Sequence, residues 1–151
     1  MKKIQFGPVS SDTLKTEHLM PVFVNELLNI DPDNQFGNYL WAKYSELEEG
    51  DDDYWKSEEA DFDLSELIDE LNDVCDIPYV YFGSSEGDGA CFGYFVNRES
   101  VMDDVRYGEL VKVSDLDIVK SDFTGLVLLE TKNYDCSLYH FENGVPKEMI
   151  W

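Results

Sequence analysis

The chain has 151 residues, with 33 Asp plus Glu set against 11 Lys plus Arg, a net charge of −22. That charge argues against a direct grip on DNA, RNA or an anionic membrane surface, because phosphate contacts need Lys and Arg. At 43% hydrophobic and 14% aromatic, the composition argues equally against wholesale disorder. Cationic partners, metal ions and the basic grooves of other proteins are the classes left open. Cys75, Cys91 and Cys136 are three cysteines without paired spacing, so reduced thiols in the cytoplasm are expected. Gly7-Pro8 follows Met1 too soon for a signal peptide, and no apolar run approaches a membrane span. One domain is expected over residues 1–151.

In chain order, Ile4 to Val9 reads as a short strand. Thr16 to Ile30 reads as a helix, with Leu19, Phe23, Leu27 and Ile30 at three-to-four spacing and Pro21 suited to a first turn. Asp31-Pro32-Asp33-Asn34 breaks it. A second helical pattern runs from Gln35 to Glu48 through Phe36, Tyr39, Leu40, Tyr44 and Leu47. Gly50 to Asp61 reads as an acidic loop, and Asp63 as the cap of a third helix, with Glu66 as its capping-box partner. Leu64, Leu67, Ile68, Leu71, Val74 and Cys75 form one face of that helix; Glu66, Asp69, Glu70 and Asp73 line the other.

Past Pro78 the pattern becomes short β-type runs: 79–83, 91–97, 109–113, 125–131, 137–142 and 147–151, with a helical turn within 98–107. Asn143-Gly144 is a hairpin signal. Helices first and strands after predict an α+β fold, with N-terminal helices packed on a mostly antiparallel sheet from the C-terminal half.

The charge is localised. Residues 46–76 carry fifteen acids and one base, net −14. Like charges this dense repel one another, and mixed signs would serve solubility better, which hints at use. A helix rising about 1.5 Å per residue with acids on its outer face can approach the linear charge density of B-form DNA, one charge per about 1.7 Å. The candidate partner-binding residues are Asp51, Asp52, Asp53, Glu58, Glu59, Asp61, Glu66, Asp69, Glu70 and Asp73. Tyr54 and Trp55, set between Asp51-Asp52-Asp53 and Glu58-Glu59, are candidate hot spots. Glu86 and Asp88, at a loop tip, are outer candidates. Trp41 and Tyr44 read as core.

Other chemistries fit less well. Asp31, Asp33 and Gln35 resemble the start of a calcium loop, but Phe36 holds the glycine position and Ala42 the bidentate glutamate position. Gly83 to Gly93 is glycine-rich, yet Glu86 and Asp88 would oppose a phosphate, and the run reads as a hairpin. Cys136 and His140 lie about 13 Å apart along one strand, too far to pair. No metal, no cofactor and no catalytic residue is therefore assigned, and the chain is read as a non-enzyme.

In size, charge and acidic helices the chain resembles the small acidic proteins that phages and mobile elements use against bacterial defences, DNA-mimic inhibitors of restriction enzymes and some anti-CRISPR proteins among them. Asp88-Gly89-Ala90 with Phe92-Gly93, and later Ser137-Leu138-Tyr139, are similar to a pattern in small uncharacterised phage and bacterial proteins. Lys132-Asn133-Tyr134-Asp135-Cys136 departs from it where an Asp-His-Gly-Asn turn is expected. The first resemblance implies an inhibitor in the host cytoplasm that occupies the basic nucleic-acid-binding surface of a host defence or DNA-processing protein. An immunity protein that neutralises a basic toxin, and a small enzyme or ligand-binding domain built on the β-rich half, are the alternatives.

Overall fold

The computed structural model describes residues 4–47 and 52–151. The fold is α+β, with four helices and seven strands in two sheets among the described residues. The chain divides into two compact units, residues 1–76 with 80–96 and residues 77–79 with 97–151.

The first unit contains strand β1 (Gly7–Ser10), helices α1 (Thr16–Ile30), α2 (Gln35–Ser45) and α3 (Glu58–Val74), and strands β2 (Val80–Ser85) and β3 (Asp88–Val96). The strands form an antiparallel sheet in the order β1-β3-β2. Apolar residues at helical spacing bury one face of α1: Leu19, Met20, Phe23, Val24, Leu27 and Ile30. Phe23 carries that face onto the sheet, its ring centroid 5.0 Å from Phe82 on β2 and 5.4 Å from Phe92 on β3. Pro21 sits in the second turn of α1 rather than the first, so its missing N–H costs a helical hydrogen bond.

Asn34 caps α2, its side chain accepting from Gly37 N at 2.8 Å. The segment that resembles the start of a calcium loop is thus a helix entrance. Helix α3 begins earlier than expected. Ser57 is its N-cap, with Oγ accepting from Ala60 N, and Glu58, Glu59 and Asp61 occupy the first turn, where the helix dipole favours acids. The expected cap, Asp63, lies inside the helix and is buried. Asn72 ties α3 to β2 by a reciprocal pair: Nδ2 donates to Phe82 O at 2.8 Å, and Phe82 N donates to Oδ1 at 2.9 Å. The glycine-rich run forms the β2–β3 hairpin, with Ser85 opposite Asp88. Gly93 faces β1 so closely that a Cβ there would collide with the Gly7 carbonyl and come within 2.9 Å of Pro8 Cα.

The second unit contains helix α4 (Arg98–Arg106) and strands β4 (Val111–Val113), β5 (Gly125–Glu130), β6 (Cys136–Glu142) and β7 (Val145–Met149). The sheet order is β4-β5-β6-β7, with β4 parallel to β5 and the other pairs antiparallel. A parallel neighbour needs a crossover, and the segment 114–124, with a 3-10 turn at Leu116–Ile118, supplies it. Leu116, Val119 and Phe123 of that segment pack on Val113, Val127 and Phe141. Asn143 (φ 50°) and Gly144 (φ 76°) make the hairpin turn that joins β6 to β7. Tyr79 donates to Asp104 at 2.6 Å; burial, then this bond, pushes its phenol up to about 12. Among the described residues, no helix is long and apolar enough to cross a membrane.

Two outcomes are expected. Gly93→Ala should lower stability by about 1–3 kcal/mol, since backbone and not a flexible side chain must yield, read as a reduced urea midpoint. Folded Tyr79 holds its proton more tightly than an unfolded tyrosine, whose pKa is about 10. The native chain therefore binds more protons between pH 10 and 12, and stability present below pH 10 is lost as pH rises through that window. Tyr79→Phe should flatten that fall in urea titrations repeated across the window.

Candidate functional site

The described part of the acidic segment resolves into a buried lock and an open face. The lock centres on Asp63, in the second turn of α3. Its Oδ2 accepts from Lys43 Nζ of α2 at 2.8 Å and from Tyr54 OH at 2.7 Å. Lys43 also pairs with Glu59, and its ammonium lies 5.4 Å from the Tyr39 ring centroid and 4.8 Å from that of Tyr54. Burial would lower the Lys43 pKa, but its hydrogen bonds to Asp63, Glu59 and Tyr39 outweigh that and hold it above the ordinary lysine value. Burial, with the Asp63 bond second, pushes the Tyr54 phenol up. Tyr54 is thus half-buried and engaged. Trp55 is half-buried as well, its ring 5.1 Å from Tyr54 and 6.3 Å from Tyr44.

The open face is the outward stripe of α3. Glu58, Glu66, Asp69 and Asp73 follow at helical spacing, all exposed, and among the described residues no cation lies within ion-pair distance of them. Asp61 is exposed and accepts from Thr16 Oγ1 at 3.1 Å. Glu70 is half-buried and accepts from Asn34 Nδ2 at 3.0 Å. Asp52 pairs with Lys56 at 3.1 Å, and Asp53 is exposed. Asp51 lies outside the described residues. Glu86 and Asp88 are exposed at the β2–β3 turn. The structure therefore gathers Glu58, Glu66, Asp69 and Asp73 on one stripe, and gives Glu59, Glu70 and Asp52 partners within the chain.

Two aromatics gain importance from their placement. Phe62 is 63% exposed and sits on the acidic stripe, one turn after Glu58 and one turn before Glu66. Its position on the polar side of the helical wheel was the signal for this, once the helix is started at Glu58. Trp41, expected in the core, is 55% exposed, because α2 buries Gly37 and Leu40 instead.

Other centres are less complete. Among the described residues, no group of three His, Cys, Asp or Glu side chains is disposed to hold a metal ion. Burial and the neighbouring Glu130 carboxylate push the Cys136 thiol up, opposite to what an activated nucleophile needs. A surface hollow of about 330 Å³ beside Trp55 is lined by Lys15 and Lys56, but also by Glu17 and Asp52, so its charges cancel.

Lys43→Met should cost about 3 kcal/mol in urea unfolding, because it strands the Asp63 carboxylate. Lys43→Met with Asp63→Leu should recover most of that loss, since no lone charge is then buried.

Comparison of the chain with protein-family models, with curated proteins and with solved structures finds no match.

Proposed function

We propose that the chain is an acidic inhibitor that occupies the basic nucleic-acid-binding surface of a defence or DNA-processing protein in the cytoplasm of a host cell. The observation that carries this reading is the stripe of Glu58, Glu66, Asp69 and Asp73, exposed and without cations of its own among the described residues. Helix α3 holds eight acids and no base in 17 residues. At about 1.5 Å rise per residue the four stripe carboxylates span about 22 Å, roughly one per 7 Å, about half the linear charge of one DNA strand.

The energetics support a surface kept for use. Asp69 and Asp73 repel at i,i+4, as do Glu66 and Glu70, each pair costing about 0.2–0.5 kcal/mol. No basic residue sits in the last turn of α3, and Asp73 meets the unfavourable end of the helix dipole. The mechanism is occupancy without chemistry. The concentrated field steers a fast, salt-sensitive encounter, and the bound inhibitor excludes nucleic acid from the groove.

The test is capture of partners from bacterial lysate on immobilised protein, with and without added duplex DNA and at raised salt. A nucleic-acid-handling protein should be retained, then displaced by DNA and by salt. The variant Glu58→Gln, Glu66→Gln, Asp69→Asn, Asp73→Asn should lose at least about tenfold in retention while its thermal midpoint rises by a few degrees. Undiminished capture of the same protein by that variant would overturn the reading.

A further inference from the structure

We infer that Phe62 is an aromatic anchor within the acidic stripe, and that it fits the face to a protein surface presenting arginine rather than lysine. The inference rests on the reading just proposed and adds the side chain that the face grips.

Asn34 meets Glu70, while Lys43, later in α2, meets Glu59 and Asp63, earlier in α3. Helix α2 therefore runs antiparallel to α3. On α2, Tyr39 is 54% exposed and offers one ring face to Lys43. The Lys43 site is a worked instance of the chemistry: a cation seated between the Tyr39 and Tyr54 rings and held by the carboxylates of Glu59 and Asp63.

Phe62 with Glu58 and Glu66 repeats the ingredients on the outer surface. A ring lies in the centre, and a carboxylate stands four residues, about 6 Å of rise, to either side. Phe62 is 63% exposed, and among the described residues no cation or second ring covers it. A planar guanidinium can stack on such a ring while forking to a carboxylate. An ammonium is compact, more strongly hydrated and gains less from the ring. Charge complementarity selects a basic occupant, and the ring selects among basic occupants.

The probes are fluorescent nona-arginine and nona-lysine peptides, equal in length and charge, titrated at low salt against the full chain. Wild type should bind nona-arginine more tightly. Phe62→Leu keeps apolar bulk but removes the ring, and should shrink the arginine-to-lysine affinity ratio by about two- to fivefold. Its circular dichroism and thermal midpoint should match wild type, since the side chain is exposed. Glu58→Gln with Glu66→Gln should weaken both peptides and make binding less sensitive to salt. An unchanged ratio in Phe62→Leu overturns the anchor. If both peptides still bind and the charge variant weakens both, the polyanion reading survives that loss. If wild type binds neither peptide, the polyanion reading and the anchor fail together.

Discussion

A carboxylate buried within a helix must find a cation or lose its charge. Asp63 finds Lys43, and the tyrosine hydroxyl of Tyr54 takes a place on the same oxygen. One acceptor atom thereby draws together α2, α3 and the segment that enters α3. On α3, the remaining acids divide by the side of the helix they occupy. Because Ala60, Leu67 and Leu71 turn one side of α3 inward, the opposite side points outward, and Glu58, Glu66, Asp69 and Asp73 are delivered to solvent. Because Lys43 is engaged by Asp63 and Glu59, it does not neutralise that outer stripe. Asn72, hydrogen-bonded to both backbone groups of Phe82, holds the other end of α3 against β2.

Charge on α3 is distributed as a compromise between folding and display. Its first turn places Glu58, Glu59 and Asp61 where the dipole welcomes them. Its last turns place Asp69 and Asp73 where the dipole does not help and, among the described residues, no base pairs with them. The packed side compensates, with Leu67 and Leu71 wholly buried and Ala60 closing the start of the helix. Removing a fully buried leucine side chain costs about 2–5 kcal/mol, well above each like-charge pair on the surface, so the helix tolerates its outer face.

Much of this was legible from residue order. The apolar spacing of Leu19, Phe23, Leu27 and Ile30 predicts α1 at the bounds observed, Thr16–Ile30. Asn143-Gly144 predicts the β6–β7 turn because both positions need positive φ. The expected start of α3 lies six residues past the observed one, since Asp63 and Glu66 form a plausible capping box; only the tertiary contact with Lys43 shows why Asp63 is inside. With that start Phe62 precedes the helix, and its place on the acidic stripe does not show. Trp41 was misjudged because glycine, a poor marker of burial by type, holds the buried position where α2 meets Leu27 and Leu28. The division of the strands into two sheets depends on long-range pairing that local patterns do not encode.

The parallel pair of β4 and β5 bears on the order in which the second unit assembles. Strands β5, β6 and β7 are joined by short turns, so they can zip together with little chain entropy to overcome. Strand β4 can dock on β5 only after the 114–124 segment has bent back across the sheet. The meander is therefore the natural nucleus, and β4, three residues long and at the sheet's rim, is the last strand in and the first to fray.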